Sequence, residues 1–400
     1  MLTLEEARAA ILAQITPAAA TETVPLAQAH GRYVAGELRA RVDNPAFDNS
    51  AMDGYVLRAA DLIAADFILP CHGESRAGDA PGTLKPGSAM RIFTGAPVPA
   101  GADTIVIQED VRLEGGRVVF PKTAQPGGYL RRRGEDFRED DILYSPGRRL
   151  SAYDLALLSA AGTVEVPVYR RARALVVATG DELVAPGQPL RPGQIYESNR
   201  LATLMLFHER GVEAVDGGTV RDEPAALREL LKSAADFDFV VTSGGASVGD
   251  HDLVKQVFAE IGRIEFWKVK IKPGKPVAFG RVGERAHFFS LPGNPVSSLV
   301  TFMLFVEPAL AAWNHGAPHM LQLAAQAAND FRRHPGRTEF LRARLYTENG
   351  RLLAQALPGQ GSHMLKPIRE TNGFIRVEAE SAGFKRGETV IAVPLHTDFS

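Results

Sequence analysis

Residues 242–252 read Thr-Ser-Gly-Gly-Ala-Ser-Val-Gly-Asp-His-Asp, between the apolar run Phe237–Val241 and a stretch of helical character. A glycine-rich turn between a strand and a helix lets backbone N–H groups approach an anion, and the helix N-terminus adds unpaired donors and the positive end of its dipole. Ser243, Gly244 and Gly245 are the candidate cradle. Asp250 and Asp252 stand beside it, where carboxylates suit a divalent cation that bridges them to a phosphate better than they suit bare phosphate. Asp250 reads as an N-cap. Asp252, two residues further on, is the better metal-side acid. The chemistry indicated is metal-assisted handling of a nucleotide or a related phosphate ester.

Further candidates lie on other turns. Thr179-Gly180-Asp181-Glu182 follows the apolar run Ala174–Ala178, so its side chains project where ligands of parallel sheets bind, or form a solvated turn. Asp222 precedes Glu223-Pro224 and reads first as a helix N-cap. Lys268, Lys270 and Lys272 share one face if they lie on a single strand, and Lys275 follows the Pro-Gly turn; like charges so placed call for an anion, though lysines also blunt edge strands. In Leu291-Pro292-Gly293-Asn294-Pro295, Asn294 can cap a helix with Pro295 at its first position. The freed N–H groups and the Ser297 and Ser298 hydroxyls then form a second anion pocket. Asp48, Asn49, Ser50 and Asp53 offer more polar groups than one turn requires, and Thr94 and Arg131–Asp136 add hydroxyl, cationic and carboxylate groups at loop positions.

The elements that must position these groups change character along the 400 residues. Thr3 and Glu6 form a capping-box pattern ahead of Leu4, Ala7, Ile11 and Ile15 at helical spacing. From 43 to 140, short β-like runs broken by Gly and Pro clusters read as a β-rich insertion. Residues 148–170 return to a helix and a short strand, and can pack with the opening helix. From 171 to 318, apolar strands alternate with helices, the signature of a mostly parallel sheet in a three-layer α/β/α domain. Alternating runs in 319–400 imply a terminal β domain. A formal charge of −2 gives no global electrostatic case for nucleic acid or an anionic membrane surface. The single cysteine, Cys71, excludes an internal disulfide framework and fits a reducing compartment. Neither a signal-like start nor a long uncharged apolar stretch is apparent, and the expectation is a cytoplasmic protein.

The motifs Phe47-Asp-Asn-Ser-Ala-Met-Asp-Gly-Tyr, Thr94-Gly-Ala-Pro-Val-Pro, Arg133-Gly-Glu-Asp, Thr179-Gly-Asp-Glu-Leu, Ser243-Gly-Gly-Ala-Ser-Val-Gly, Lys272-Pro-Gly-Lys-Pro, Leu291-Pro-Gly-Asn-Pro and Gly361-Ser-His-Met occur in one order. Together they resemble the MoeA family of molybdopterin molybdenumtransferases, related to the gephyrin E domain. The resemblance runs nearly end to end. It implies an elongated homodimer of four-domain chains: a discontinuous helical domain (1–42 and 141–170), the insertion (43–140), the α/β domain (171–318) and a C-terminal β-barrel-like domain (319–400). The implied reaction inserts molybdate into adenylylated molybdopterin with Mg²⁺-assisted release of AMP. Glu182, Asp222 and Asp252 would hold the metal and border the crevice, while Thr179, Gly180 and the glycine-rich turn would hold the adenylyl phosphates. Lys268, Lys272 and Lys275 would neutralise anionic charge, and Pro292–Pro295 with Ser297 or Lys275 would take molybdate. Asp53, Thr94 and Asp136 would arrive from the partner subunit. No nucleophilic side chain is required. Further implied partners are the molybdopterin adenylyltransferase and cofactor-accepting enzymes.

Three positions depart from the family pattern: Tyr129 where Asn is usual, Lys270 where a small residue is usual, and Glu197 in place of a shorter acid or amide. Two other activities fit parts of the pattern. A molybdopterin adenylyltransferase shares the α/β domain but is usually a compact single domain, and a gephyrin-like scaffold would keep the crevice without turnover.

Overall fold

A computed structural model of the chain describes residues 1–221, 223–244, 262–318 and 320–395. The chain separates into two compact units, one of residues 1–22, 31–33 and 169–400, the other of residues 23–30 and 34–168.

The larger unit opens with helix α1 (Leu4–Leu12), whose capping box forms as the sequence predicts: Thr3 Oγ1 accepts the Glu6 N–H at 3.1 Å and Glu6 Oε2 accepts the Thr3 N–H at 2.8 Å. Such a cap contributes about 1 kcal/mol. The sheet follows, with strands β1 (Arg173–Thr179), β2 (Glu213–Val220), β3 (Phe239–Ser243), β4 (Gly262–Lys268), β5 (Pro276–Val282) and β6 (Ala286–Leu291). Their order is β2-β1-β3-β6-β5-β4. The first four in that order run parallel, β5 runs opposite to them, and β4, antiparallel to β5, runs in the common direction again. Helices α2 (Asn199–Glu209) and α3 (Pro224–Ser233) supply crossovers. Every residue of β3 and β6 is buried, as expected where helices cover both faces of a sheet. The chain leaves β1 towards β2 on one side, and continues from β3 to β6 on the other. The reversal opens a crevice between β1 and β3, beyond their carboxyl ends.

α1 packs in the core of this unit. Its Leu4, Ala7 and Ile11 join a cluster with Phe302, Phe305 and Trp313. Burial of Leu4 and Ile11 there contributes about 1.5–3 kcal/mol each. The segment Pro295–Trp313 comprises α4 (Pro295–Thr301), a π turn (Phe302–Val306) and α5 (Glu307–Trp313). Pro308 lacks the N–H that a regular helix would donate to Leu304, and the widened turn accommodates the break. By length and composition this segment could cross a membrane, but 78% of it is buried inside the protein, which makes it a core helix.

The C-terminal strands Thr338–Glu348, Arg351–Ala356, Leu323–Ala327, Thr389–Pro394 and Gly373–Val377 pair in that order, and the first also pairs the last, closing a barrel around Leu341, Leu345, Ile375 and Ala392. The strand Ile271–Lys272 adds to it in parallel.

The smaller unit holds a six-stranded sheet ordered Thr104–Ile107, Gly54–Leu57, Ala89–Ile92, Ile68–Ser75, Arg117–Val119 and Arg112–Glu114. Its helix Ala152–Ala160 starts at a second capping box, Ser151 with Asp154. Burial works against the charged form of Asp154, but hydrogen bonds from Ser151, Tyr144 and Arg148 prevail and hold its carboxyl below the ordinary range.

Candidate functional site

Four loops meet beyond the carboxyl ends of the parallel strands. Gly244 follows β3 with φ +95°, a conformation that glycine adopts without strain, and its N–H donates to Leu291 O at 3.1 Å. Its missing side chain matters sterically as well, because a Cβ there would fall inside 3.0 Å of the Thr179 carbonyl oxygen and at 3.0 Å from Thr179 Oγ1. Gly293 of the Pro292–Pro295 turn faces Gly244: a Cβ on Gly293 would sit 3.7 Å from the Gly244 Cα. The Asn199 side-chain amide, at the start of α2, donates to Gly293 O at 2.8 Å and fixes the turn. Thr179, Gly180, Ser243, Gly244, Pro292 and Gly293 are thereby brought together.

The crevice floor is polar and incompletely bonded. Thr179 Oγ1 and Thr242 Oγ1 are buried and make no hydrogen bond among the described residues. Glu182 lies above Gly180, at whose open position a Cβ would meet Glu182 Oε2 at 2.5 Å. Its carboxylate is exposed at the mouth of the crevice. Gly245, Asp222 and Asp252 lie outside the described residues, as does Asp250. Among the described residues no cluster of three or more His, Cys, Asp or Glu side chains could hold a metal ion.

The helix N-terminus after Pro295 is narrower as an anion site than its sequence suggests. Asn294 occupies the N-cap position, but its side chain makes no capping bond. The Val296 N–H donates to Ser362 O at 3.1 Å, and the Ser298 N–H to Asn294 O at 3.0 Å. Ser297 and Ser298 are buried. The Ser297 N–H has no hydrogen-bond acceptor among the described residues.

The lysines are not on one strand. Lys268 ends β4, Lys270 lies in the bend that follows, and Lys272 belongs to the strand that joins the barrel. The alternation survives, because Val269 and Ile271 are buried while all three lysines are exposed. Lys272 already has a partner: its Nζ is 2.8 Å from Glu339 Oε1, and Glu339 Oε2 is 3.0 Å from Arg333 Nη1. Both Glu339 and Arg333 side chains are about 95% buried. Lys275 is exposed. Gly274, at φ +104°, lays this loop on α4; a Cβ on it would stand 3.7 Å from Ser297 O, so the Lys272–Pro276 loop and the Pro292–Pro295 turn are neighbours.

Sequence reasoning missed Asn199, Glu339 and Arg342. Arg342 is 1% exposed and donates to Met364 O at 2.8 Å, to Gly361 O at 3.0 Å and to Gly359 O, which holds the loop whose Ser362 carbonyl meets α4. The signal was an arginine at an inward position of the run Phe340-Leu-Arg-Ala-Arg-Leu.

In the smaller unit, Asp53 Oδ1 accepts the Thr94 N–H and the Thr94 hydroxyl, each at 2.8 Å. Those two bonds, the amide's first, hold the Asp53 carboxyl below its ordinary range. Asp136 Oδ2 accepts from Asn44 Nδ2 at 2.9 Å. Asp48 accepts from Arg132 Nη1 at 2.7 Å and from the Arg133 N–H at 2.8 Å, while Asn49–Ser50 pairs with Leu130–Arg131. Segments far apart in sequence are thus laced into one polar surface.

Two of the departures have a physical basis. Tyr129 sits at φ +52°, which Asn tolerates better than a bulky side chain, and its carbonyl accepts the Ala51 N–H. Glu197 is buried and its Oε1 accepts the Arg200 N–H at 2.7 Å, a capping bond in place of one from Ser198, whose side chain makes none. Nothing in the structure explains Lys270, whose side chain points to solvent.

Known proteins share this architecture. A model of the MoeA N-terminal region (domains I and II) matches residues 2–162, a probable molybdopterin binding domain matches 175–312, and the MoeA C-terminal region (domain IV) matches 324–395. A molybdopterin molybdenumtransferase from Haemophilus influenzae is 39% identical over 99% of this chain and 99% of its own. Molybdopterin molybdenumtransferase 2 from Mycobacterium tuberculosis is 37% identical over 92% of this chain and 93% of its own. The crystal structure of a molybdopterin biosynthesis MoeA protein from Pyrococcus horikoshii superposes with a TM-score of 0.83 at 30% identity, covering 98% of this chain and all of that one. With likeness in sequence and in fold extending over the full length, the chain belongs to the MoeA family of molybdopterin molybdenumtransferases.

Proposed function

We infer that this protein is a molybdopterin molybdenumtransferase that inserts molybdate into adenylylated molybdopterin and releases AMP. The observation that carries this reading is the meeting of Thr179–Glu182, Ser243–Gly244 and Pro292–Pro295 at the switch point of the parallel sheet. The first two segments would hold the pterin nucleotide. Molybdate would lie towards the Pro292–Pro295 turn and the Ser297 N–H, within reach of the exposed Lys275. Lys268 and Lys275 would offset charge as a water oxygen replaces the leaving oxygen at the diphosphate phosphorus and AMP departs, and Lys272 would do so while shared with Glu339. The dithiolene that receives molybdenum belongs to the substrate, so the side chains bind, orient and polarise.

Glu182, with Asp222 and Asp252, would hold Mg²⁺; all three are hard oxygen donors of the kind that ion takes, and bound there it would draw charge from the phosphate oxygens. The protein would work in the cytoplasm as a homodimer, with Asp53, Thr94 and Asp136 acting on substrate held by the other subunit. Its product would pass to cofactor-accepting enzymes and its substrate would come from the molybdopterin adenylyltransferase. The test is AMP release from adenylylated molybdopterin by the purified protein with Mg²⁺, with and without molybdate. Molybdate-dependent release with formation of active cofactor is the expected result. Binding of the substrate with no release would leave the scaffold reading standing instead.

A further inference from the structure

Beside Asp53 and Thr94 stands a cation that the reaction as proposed does not use. Arg91 lies on the strand Ala89–Ile92, directly across from Tyr55. Its guanidinium carbon is 4.9 Å from the centre of the Tyr55 ring and 5.1 Å from that of Phe93, close enough for both π systems to hold the cation in place. One N–H donates to Gln108 Oε1, and Gln108 Nε2 donates in turn to Glu109 Oε1 at 3.0 Å, which sets the end of the amide that faces the arginine. The Gln108 backbone N–H donates to Asp53 O at 3.1 Å, and Gly54 pairs with Ile92. Asp53, Thr94, Gln108 and Arg91 therefore share one end of the sheet.

A carboxylate in register on a neighbouring strand would be the simplest partner for this arginine. The cross-strand candidate is Glu74, in register with Arg91 on the other side, but Glu74 is 2.6 Å from Arg76. Among the described residues Arg91 forms no ion pair, and of its five N–H donors the bond to Gln108 engages one. Asp53 alone would repel an anionic substrate, and the arginine beside it offsets that charge.

We propose that Arg91 is a further substrate-binding residue, whose unengaged guanidinium edge takes a phosphate oxygen of the adenylylated pterin next to Asp53 and Thr94. The proposal rests on the transferase reading above. Its planar fork suits a phosphate edge, and the π contacts and Gln108 keep it pre-organised.

The test is steady-state AMP release with each substrate varied while the other saturates, in wild type, Arg91→Gln, Arg91→Lys and Gln108→Glu. Loss of a charge-assisted bond raises KM for adenylylated molybdopterin about tenfold or more in Arg91→Gln, with KM for molybdate unchanged. Arg91→Lys falls between that variant and wild type. Gln108→Glu keeps the arginine but offers it a competing carboxylate, and raises the same KM without removing the cation from its aromatic seat. A KM for adenylylated molybdopterin within twofold of wild type in both Arg91→Gln and Gln108→Glu overturns the assignment, as does a change confined to kcat or to the KM for molybdate. A wild-type protein that gives no molybdate-dependent AMP release overturns the transferase reading itself, and Arg91's role with it.

Discussion

Replacing Gly244 with alanine should open the crevice between β1 and β3. At φ +95° an L-residue is strained by about 1–2 kcal/mol. The new Cβ would also collide with the Thr179 carbonyl oxygen, and restoring ordinary contact requires the two strand ends to part by about 1 Å. The obstacle is backbone on both sides, which cannot rotate away as a side chain would. Overpacking of this kind costs a further 1–3 kcal/mol or so. Gly187→Ala is the matched control: φ is +91° and no atom lies within 4 Å of the added Cβ. It carries the strain without the collision, and any entropy gained from a stiffer unfolded chain is common to both. Gly244→Ala should therefore lose about 2 kcal/mol more than Gly187→Ala in denaturant unfolding. The two tryptophans of the chain, Trp267 and Trp313, both belong to the larger unit and report its unfolding. Because reacting groups displaced by an ångström can lose about a hundredfold in rate, a displacement of Thr179 relative to Ser243 of that size should reduce molybdate-dependent AMP release about a hundredfold. Equal stability and equal turnover in Gly244→Ala and Gly187→Ala would refute the claim that contact between these two strand ends sets the site.

Three other outcomes are expected. Glu339→Gln removes the anion between buried Arg333 and Lys272, and should destabilise the barrel by about 2–3 kcal/mol in denaturant unfolding followed by circular dichroism. His287 is buried at the start of β6, and burial, reinforced by Arg281, lowers its pKa from 6.5 to about 4. Between those values the unfolded chain binds a proton that the native protein does not, so stability should fall by up to roughly 3 kcal/mol as pH drops from 6.5 to 4, and His287→Gln should flatten that slope in denaturation midpoints measured across the window. Thr94→Val deletes the hydroxyl bond to Asp53 but leaves the amide bond, so the Asp53 carboxyl should rise part of the way to its ordinary range. The acid limb of the pH–rate profile should then move to higher pH.

The parts of this architecture that were legible in the sequence are those in which one short segment carries the whole constraint. Burial of Ala174–Thr179 and Phe239–Ser243 needs only unbroken apolar runs, and the alternation of strands with helices fixes a parallel sheet. The capping box of α1 needs two residues three apart. Partner choice is a different problem. Lys272 and Glu339 are 67 positions apart by their numbering, and no local pattern says that the lysine ends β4's alternation on a different sheet and meets a buried carboxylate there. The same limit explains Asn294: the residue type fits a cap, but the Ser298 N–H goes to the Asn294 carbonyl and the Val296 N–H to Ser362, a residue supplied by the loop that Arg342 clamps. Glycines bridge the two regimes. Gly244 shows in the sequence as a turn former, yet its second reason for being glycine, the approach of Thr179, appears only when the two strand ends are side by side. The glycine motifs were informative because a backbone conformation and a tertiary contact select the same residue there, whereas the lysines, selected by charge alone, could be placed on a face but not assigned a partner.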